Sequence, residues 1–389
     1  MPDLRCDLLV IGAGPAGSAL AAAAAARGLD VVLVEAAHHP RPKACAEYAS
    51  PRIVEELERI GLPVAAWSAA AVPLEGMRLF VDGVATDLRY ADRRRARTAW
   101  GLDRLSFDGL LTRHAVQSGA RLLEETRLTA LDRGATRISG ATLEGPGGRT
   151  SVTARRVVGA DGARSRTARL LGVERSVGFP RRLGLIAHYS AVDELRTSGE
   201  MHVGDGLYVG LAPTPNAELN VGMALPLSHR GSAEQRFEAA LNSLPRVAAR
   251  LAGARRVTPI RGAAPIGHRV ADVAGPGWML IGDAAGFVDP FTGEGIFRAL
   301  RSARAAVDSL DAPDPAAAYR AARRRAFTAK DALTWTVQSM LAAPPVLRYA
   351  TRRLASRDTA RLRFASALGD CRPASDALSP GAVWDVLRP

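Results

Sequence analysis

The stretch LLVIGAGPAGSALAAAAAARGLDVVLVE, residues 8–35, decides the fold. It opens with an apolar run, passes through a glycine-rich turn into an alanine-rich segment, and returns to a second apolar run. Short apolar runs bounded by glycine are typical of buried strands, and the alanine-rich segment between them is long enough for a helix. The pattern predicts a strand, a helix and a second strand over residues 7–11, 15–27 and 30–34.

Three glycines lie where the first strand ends and the helix begins, in the spacing G-x-G-x-x-G. Gly12 permits the tight turn, Gly14 lets backbone N–H groups approach a pyrophosphate, and Gly17 lets the helix pack on the strand. Glu35 closes the second strand, where a carboxylate accepts hydrogen bonds from the adenosine ribose and repels an added phosphate. The unit therefore predicts a site for FAD or NAD and argues against NADP in that site.

A second glycine-rich stretch, GDAAGFVDPFTGEGIFRAL (282–300), follows the apolar run WMLIG. Asp283 at a strand end can accept hydrogen bonds from ribityl hydroxyls, a group that FAD has and NAD lacks. Gly293, Glu294 and Gly295 would bring backbone N–H groups and a helix N-terminus to a flavin ring, where negative charge grows on reduction. These features favour FAD over NAD.

A third junction of strand and glycine occurs in RRVVGADGARSRTARLLG (155–172), which contains Asp161. The three junctions together resemble the flavoprotein superfamily that includes para-hydroxybenzoate hydroxylase, geranylgeranyl reductases and flavin-dependent halogenases. The stretch GDAAGFVDPFTGEGI is most similar to the geranylgeranyl reductase branch, and the resemblance covers nearly the whole chain. One departure concerns the middle junction, where Ala168 stands in the place of the arginine that the family usually has seven residues after the aspartate.

The resemblance implies a cofactor site for FAD. Within it, Arg104 is expected along the ribityl-pyrophosphate chain, against the alternative of a surface arginine at a helix end. The implied cofactor-binding residues are Gly12, Gly14, Ala16, Gly17, Glu35, Ala36, Lys43, Arg104, Asp161, Gly282, Asp283, Pro290, Gly293, Gly295 and Ile296.

Candidate catalytic residues also come from the resemblance. The stretch HPRPKACAEYASP (39–51) is similar to the lysine-x-cysteine-glycine stretch that lies near the isoalloxazine in the reductase branch, with Ala46 in place of the glycine. Cys45 is a candidate there, against the alternative of a small buried residue, and Glu47 is a candidate acid or base, against a surface or salt-bridged glutamate. In LYVGLAP (207–213), Tyr208 matches the first residue of a tyrosine-x-tryptophan-x-phenylalanine-proline pattern of a lipid pocket.

The chain of 389 residues, 47% of them hydrophobic, is long enough for two domains. Alternating apolar and polar residues predict antiparallel strands around the Asp82-Gly83 turn and between about 180 and 265, and residues 293–370 are almost wholly helical in pattern. We expect an α/β fold, with a Rossmann-type FAD-binding domain, an inserted antiparallel β-sheet substrate domain and C-terminal helices. The expected bounds are 1–75, 100–175 and 271–335 for the FAD-binding domain, 76–99 and 176–270 for the sheet domain, and 336–389 for the helical region.

Charge and cysteine usage exclude several classes. The net charge is +13, but the basic clusters Arg93–Arg95 and Arg323–Arg325 have no interleaved aromatic residues, so no nucleic-acid partner is expected. The three cysteines have no metal-like spacing, and a disulfide framework is not indicated either. No apolar run has the roughly 18 residues of a membrane span, and the first residues do not resemble a signal peptide, so we expect a cytoplasmic protein.

The reaction class stays open between two kinds of chemistry. With one dinucleotide fingerprint, NADH or NADPH would bind only transiently as electron donor. Gly210 and Ala212 replace the pocket aromatics of the pattern above, which favours a monooxygenase that hydroxylates an aromatic or polyketide-like molecule. The TGEG loop and Cys45 favour the alternative, an ene-reductase that transfers hydride to a C=C bond. A third alternative is a non-catalytic flavin-binding scaffold.

The substrate is expected to be a hydrophobic small molecule, and the sequence leaves the oligomeric state open. The segment LTWTVQSMLAAPPVLRYATRRLA (333–355) has an apolar side with flanking arginines, a pattern compatible with contact to a membrane surface. Packing over the FAD domain is the favoured explanation, which predicts that Trp335, Met340 and Leu347 belong to the core.

Overall fold

The computed structural model describes residues 4–92, 95–193, 195–227 and 230–388. Arg93 and Arg94 of the first basic cluster lie outside the described residues. The strands are β1 (Leu4–Ile11), β2 (Val31–Val34), β3 (Tyr48–Ala49), β4 (Ala71–Leu74), β5 (Gly76–Val81), β6 (Val84–Asp92), β7 (Arg95–Arg97), β8 (Ala99–Leu102), β9 (Arg121–Leu123), β10 (Arg127–Arg133), β11 (Ile138–Gly145), β12 (Gly148–Gly159), β13 (Glu174–Arg175), β14 (Arg182–Ser190), β15 (Gly199–Val203), β16 (Tyr208–Thr214), β17 (Glu218–Pro226), β18 (Arg255–Arg256), β19 (Arg261–Ala263), β20 (Arg269–Val270), β21 (Ala274–Gly275) and β22 (Trp278–Leu280).

The α-helices alternate with these strands at first and then form a continuous series at the C-terminal end. They are α1 (Pro15–Ala25), α2 (Ile53–Glu58), α3 (Val64–Trp67), α4 (Arg104–Gln117), α5 (Arg166–Leu171), α6 (Ala233–Asn242), α7 (Pro245–Arg250), α8 (Gly295–Ser309), α9 (Pro315–Leu341), α10 (Pro344–Ala355), α11 (Asp358–Leu368), α12 (Ala374–Leu378) and α13 (Pro380–Leu387). Short 3-10 turns occur at Ser68–Ala70, Pro215–Ala217, Gly282–Ala285 and Pro290–Thr292.

The first sheet has β1 at its centre, with β2 and β12 as parallel neighbours. Ile11 pairs with Gly159 of β12, and Gly159 pairs in turn with Leu280 of β22. Since β1, β12 and β22 run parallel, their carboxyl ends meet at one edge of the sheet, where ligands of open α/β sheets bind. The three junctions of strand and glycine predicted from the sequence therefore lie side by side.

The second sheet has the order β18-β14-β17-β16-β15-β5-β6-β7 and is antiparallel except where β15 pairs with β5 in parallel. The chain leaves this sheet after β7 and returns at β14 (Arg182–Ser190), so the sheet is an insertion in the α/β fold. The predicted α/β class, with a Rossmann-type domain, an inserted sheet and C-terminal helices, is confirmed. The exact division into domains stays a prediction.

Two helices differ from what the sequence pattern predicts. The stretch SPRIVEELERIG (50–61) predicts a helix with Ser50 as its cap and Pro51 at its first position, but the helix begins only at Ile53 and no side chain caps it, so this prediction was wrong. The pattern also predicts one helix near 232–251, which instead divides into α6 and α7, because Pro245 has no N–H to continue the first helix and starts the second.

The core of the FAD-binding part packs α1, α4 and α8 against the first sheet. Trp67 and Phe107 are fully buried there, with their ring centroids 6.1 Å apart in an edge-to-face arrangement. Met340 is half-buried and Leu347 is buried, as expected, but Trp335 is 39% exposed, so its assignment to the core was wrong. Among the described residues, no helix is both long and apolar enough to cross a membrane.

A buried group of charges fastens the C-terminal helices to the rest of the fold. The Lys330 ammonium of α9 lies 3.1 Å from the Glu294 carboxylate and 2.8 Å from that of Asp370. It also donates hydrogen bonds to the carbonyl oxygens of Ala367 and Leu368. Burial works to lower the pKa of Lys330, but the two carboxylates raise it above its ordinary value, so the ammonium stays charged.

We predict that Lys330→Met lowers the free energy of unfolding by about 3–5 kcal/mol, because it leaves the buried Asp370 without its cation and Glu294 with only Arg298, 3.5 Å away. Thermal and urea denaturation measure the change. Arg320→Met is the matched control, since its ion pair with Asp272 is partly exposed and should contribute less than about 1 kcal/mol. Equal losses in the two variants would contradict this account.

Candidate functional site

The first glycine turn is sterically closed to other residues at two of its three positions. Gly12 has a φ of 104°, and a Cβ atom there would lie 2.6 Å from the Ala160 carbonyl oxygen. At Gly17 a Cβ atom would lie 1.8 Å from the Gly12 carbonyl oxygen. Gly14 differs, because its nearest neighbour is the Arg41 guanidinium at 3.8 Å. Gly12 and Gly17 are thus required by the packing of the chain, whereas the space at Gly14 is open to a ligand.

The late glycine stretch packs directly against this turn. A Cβ atom at Gly282 would lie 2.9 Å from the Ala16 methyl group of α1. The Asp283 carboxylate is about a quarter exposed, and its Oδ2 atom lies 3.9 Å from the Lys43 ammonium. The two distant segments therefore meet at one edge of the first sheet, with Asp283 and Lys43 together beside the glycine turn.

The segment Gly293-Glu294-Gly295 forms the entrance to α8. Gly293 adopts a left-handed φ of 66°, and a Cβ atom there would lie 2.7 Å from the Tyr48 ring. Gly295 has nothing within 4 Å of the corresponding position. The Glu294 side chain turns away from this opening toward Lys330 and Thr334. The N-terminus of a 15-residue helix thus faces open space, an arrangement that attracts negative charge.

Several buried polar atoms in this region have no hydrogen-bond partner within the described residues. They include the Arg41 Nε atom, beside Gly14, and the Thr292 Oγ1 atom, beside Gly293. Buried polar groups are normally hydrogen-bonded, so unpaired atoms at the two ends of an open cradle fit a polar ligand. A molecule with a pyrophosphate near Arg41 and a ring system near Thr292 matches this distribution, and FAD is such a molecule. Arg41 lies in the stretch 39–51, but no pattern in that stretch identifies it as a site residue.

Glu35 is buried and already engaged by the chain. Its Oε2 atom accepts hydrogen bonds from the Ala13 N–H and from Arg41, both at 3.1 Å, and its Oε1 atom accepts one from the Ala37 N–H. Burial works to raise the pKa of Glu35, but His39 and Arg41 outweigh it and lower the pKa to about 2. The carboxylate is therefore charged and holds the glycine turn and Arg41 in place. Its contact with a ribose stays a prediction.

Both carboxylate oxygens of Asp161 accept hydrogen bonds from residues that follow it in the chain. Oδ1 accepts from the Ser165 hydroxyl at 2.5 Å, and Oδ2 accepts from the N–H and the hydroxyl of Thr167. These bonds fix the first turn of α5 against the end of β12. The role of Asp161 in binding a cofactor stays a prediction. In the described geometry its side chain holds the start of α5 in place.

Arg104 is buried at 4% exposure, which rules out the surface arginine considered as its alternative. Its guanidinium donates two hydrogen bonds of 2.7 Å to the Asp108 carboxylate one turn further along α4. Burial works to lower the pKa of Arg104, but Asp108 and Cys45 raise it above its ordinary value. Arg104 therefore lies beside Cys45 and fixes a positive charge there.

The segment around Cys45 is held by a buried group of polar side chains. The Glu47 Oε2 atom lies 2.7 Å from His188 Nε2 and accepts a hydrogen bond of 3.0 Å from the Asn220 amide. The same amide donates to the Cys45 carbonyl oxygen, also at 3.0 Å. Burial works to lower the pKa of His188, but Glu47 raises it. We call these residues, Glu47, His188 and Asn220, the Glu-His-Asn cluster.

Glu47 is thus buried and paired, in line with the salt-bridged alternative that the sequence analysis considered. Its backbone has a left-handed φ of 58°, and it lies between the half-buried Cys45 and the buried Tyr48. Ala46, which stands where the family has glycine, fits because Gly222 of β17 leaves room for its methyl group, 3.1 Å from the position of a Cβ atom there. His188 and Asn220 come from strands of the second sheet, and no local pattern identified them.

Tyr208 lies on β16, and its hydroxyl already makes a hydrogen bond within the protein. It donates a hydrogen bond of 2.5 Å to Asp289 Oδ1, while Asp289 Oδ2 accepts from Arg182 at 2.7 Å. Burial raises the pKa of Tyr208 well above its ordinary value, and Asp289 raises it further. Tyr208 therefore positions the turn that contains Pro290. Its assignment as a catalytic residue stays a prediction.

The remaining predicted residues fall around the same cleft or next to it. Ala36 is exposed beyond Glu35, Pro290 starts the 3-10 turn before Gly293, and Ile296 is buried in the first turn of α8. Their contacts with a cofactor stay predictions. No group of three or more His, Cys, Asp or Glu side chains suited to a metal ion occurs in the described ranges.

Comparison with known proteins agrees with this geometry. The FAD binding domain family matches residues 5–313. The chain belongs to this family. A menaquinone reductase of Mycolicibacterium smegmatis is 34% identical over 321 residues, which cover 79% of this chain and 77% of the relative. A digeranylgeranylglycerophospholipid reductase of Methanosarcina acetivorans is 32% identical over 308 residues, covering 77% of this chain and 74% of the relative.

Solved structures show the same fold. A flavin-dependent brominase superposes with a TM-score of 0.83 at 19% identity, covering 97% of this chain and 98% of its own. A geranylgeranyl bacteriochlorophyll reductase-like protein from Thermoplasma acidophilum superposes with a TM-score of 0.80 at 21% identity, covering 99% and 97%. The predicted resemblance is confirmed, and the chain is an FAD-dependent oxidoreductase of the FAD binding domain family with reductase-named relatives.

We predict that Gly14→Ala and Gly17→Ala affect FAD in different ways. At Gly17 the added methyl group collides with backbone, so the apoprotein should be destabilised by several kcal/mol, about the cost of overpacking a core. At Gly14 the apoprotein should keep its thermal midpoint, while FAD affinity should fall about tenfold or more because the methyl group occupies pyrophosphate space. Apoprotein melting curves and flavin fluorescence titrations measure the two effects. A Gly14→Ala variant that binds FAD normally would contradict this placement of the pyrophosphate.

Proposed function

We propose that this FAD-dependent oxidoreductase reduces a C=C bond in the apolar portion of an isoprenoid-type lipid or quinone. The observation that carries the proposal is an apolar cavity that begins at the predicted flavin end of the cleft. Tyr48, Phe291 and Thr292 line it there, and Thr292 adjoins Gly293. The names of the relatives, menaquinone reductase and digeranylgeranylglycerophospholipid reductase, point to the same class of substrate.

The cavity extends away from the cleft between the second sheet and the C-terminal helices. Its farther lining is almost wholly hydrocarbon, contributed by Leu79, Leu88, Met201, Val337, Leu347, Leu354, Phe364 and Leu368 among others. Such a lining favours an unbranched or prenyl chain and offers no hydrogen bonds to a polar ring. The cavity volume is about 50 Å³, less than a prenyl chain occupies, and in this proposal the helices that cover the cavity move apart to admit the substrate.

We assign the chemistry and the protein groups as follows. When bound, FAD would supply two electrons as hydride to one alkene carbon, and the other carbon would take a proton drawn from solvent by way of the Glu-His-Asn cluster. Cys45, half-buried beside Arg104, faces the region of the ring in this proposal. Glu47 and His188 are positioning residues that hold a proton between Oε2 and Nε2 directly behind the Cys45 segment. The apolar cavity excludes water from the reacting carbons.

The electron donor in this proposal is NADH or NADPH, which binds transiently and leaves before the lipid reacts. One dinucleotide fingerprint, with Glu35 at its second strand, supports a single resident dinucleotide. We also keep the cytoplasmic side as the proposed location, where both nicotinamides are available.

We expect that the holoenzyme, reduced without oxygen by NADH or NADPH, converts a prenylated quinone to a product that is still heavier by two hydrogen atoms after the ring has been reoxidised to the quinone. Mass spectrometry of the extracted lipid measures this. When oxygen is admitted in place of lipid, slow and featureless reoxidation of the flavin is expected. A flavin hydroperoxide spectrum with a hydroxylated product would contradict the proposal and favour the monooxygenase. Bound flavin that no nicotinamide reduces would favour the scaffold.

A cavity variant sharpens this test. Ala350→Phe fills the cavity from α10, so lipid reduction should fall about tenfold or more while flavin reduction by nicotinamide is unchanged. Ala355→Phe, on the same helix but outside the cavity lining, is the matched control. Equal activity of the two variants would show that the cavity does not hold the substrate.

We further predict that Glu47→Gln changes the pH dependence of lipid reduction. Because Glu47 raises the pKa of His188, the imidazole keeps its proton to higher pH than usual, and a rate that needs this proton falls as the pH rises through the raised pKa. Without the carboxylate, that fall should move to lower pH, and the rate above it should drop about tenfold. Single-turnover rates across pH measure this.

Glu56→Gln serves as control, because Glu56 is equally buried but pairs with Arg304, away from the Glu-His-Asn cluster. Its pH profile should match that of the wild type. If Glu47→Gln retains the wild-type profile with normal flavin content, the proposed role of the Glu-His-Asn cluster is wrong.

A further inference from the structure

Helix α10 has two chemically different faces. Its inner face carries Leu347, Ala350, Thr351 and Leu354, which are buried and line the apolar cavity. Helix α10 therefore forms one wall of the cavity, and its outer face meets the surroundings of the protein.

The outer face of α10 exposes apolar and aromatic side chains. Val346 is 49% exposed and Tyr349 is 41% exposed. Helix α13 packs beside α10 and exposes Val383 at 41% and Trp384 at 63%, the latter the most exposed large hydrophobic residue of the described chain. Single exposed apolar residues are ordinary, but four on two adjacent helices form a patch that needs an explanation.

Arginines surround this patch, and α10 itself carries no acid. Arg348, Arg352 and Arg353 lie on α10, and the sequence from Pro344 to Ala355 contains neither Asp nor Glu. Arg348 pairs with Asp82 and Asp385 of α13 pairs with Arg363, whereas Arg352 is exposed. The Arg353 guanidinium lies 5.9 Å from the Tyr349 ring centroid and donates to the Arg388 carbonyl oxygen, which ties the two helices into one surface. We call this surface, formed by Val346, Tyr349, Val383, Trp384, Arg348, Arg352 and Arg353, the α10–α13 face.

We infer that the α10–α13 face docks on an anionic lipid bilayer. Aromatic and aliphatic side chains at one level, flanked by arginines, are the composition that inserts at the boundary between headgroups and acyl chains. The arginines match anionic headgroups in charge. The inference rests on the proposed function only for its purpose, which is to let a lipid pass beneath α10 into the cavity without crossing water.

The position of the cavity supports this occupant over a protein partner. A bilayer is the source of the apolar substrates proposed above, and α10 both contacts that source and covers the cavity. The sequence analysis favoured packing of this segment over contact with a membrane. In the structure the inner face of α10 packs against the cavity, and the inference concerns only its exposed outer face.

Sedimentation of the FAD-loaded enzyme with vesicles tests the inference. Vesicles of equal parts phosphatidylcholine and phosphatidylglycerol should carry the enzyme down, vesicles of phosphatidylcholine alone should bind it about tenfold more weakly, and added salt should release it. Failure to bind the anionic vesicles, or equal binding to both kinds, would overturn the inference.

Variants locate the docking face. The combined change Val346→Ser, Tyr349→Ser and Trp384→Ser should weaken binding to anionic vesicles about tenfold or more, as should Arg352→Glu alone. Val116→Ser, which is 44% exposed on α4, and Arg149→Glu, exposed on β12, are the matched controls and should bind like the wild type. If the α10–α13 variants also bind like the wild type, the face is misplaced and the inference fails.

Two further measurements separate the possible causes of a result. With a short-chain quinone in detergent, the α10–α13 variants should keep wild-type activity, since none of the changed residues lines the cavity. If no quinone is reduced at all while vesicle binding is normal, the proposed function fails and the docking inference stands. If light scattering shows a dimer that the serine variant converts to a monomer, the face is an interface between two copies and the inference is overturned.

Discussion

The site depends on the contact between the glycine turn after β1 and the ends of two neighbouring strands. Gly12 lies against the Ala160 backbone, and Gly282 lies against Ala16. The glycine turn after β1, the end of β12 and the end of β22 are therefore in van der Waals contact, although they are far apart in the sequence. No side chain larger than hydrogen fits at Gly12 or Gly17 without displacing backbone. This steric constraint fixes where the N-termini of α1 and α8 point, and both point into the same cleft.

The parallel pairing of β1, β12 and β22 explains why this part of the fold could be predicted. Each strand has its own apolar run and its own glycine, and parallel strands in one sheet must end at one edge. Local patterns were therefore sufficient to place Gly12, Gly282 and Asp283 together. The same reasoning failed at Ser50, because the helix start there depends on how the chain leaves β3 and not on the serine alone.

The polar partners of the site could not be predicted, for a different physical reason. His188 and Asn220 lie on β14 and β17, where each reads as one polar residue in a strand with alternating pattern. Their importance arises only when the insertion folds back and places them side by side, as a cross-strand pair, against one oxygen of the Glu47 carboxylate. Likewise Lys330 lies within a 27-residue helix that gives no sign of its two carboxylate partners. A local sequence pattern does not show hydrogen bonds or ion pairs between separate strands and helices.

The C-terminal helices make contacts at both ends of the cavity. At the cleft end, Lys330 of α9 holds Glu294, which lies between the two glycines at the entrance to α8. At the other end, α10 covers the cavity and carries the exposed face described above. Because α9 is a single continuous helix between Pro315 and Leu341, Lys330 lies on the same rigid element as Val337 and Met340, which line the cavity. The buried ion pairs of Lys330 with Glu294 and Asp370 therefore join the entrance of α8 and the chain after α11 to the helix that forms one wall of the cavity.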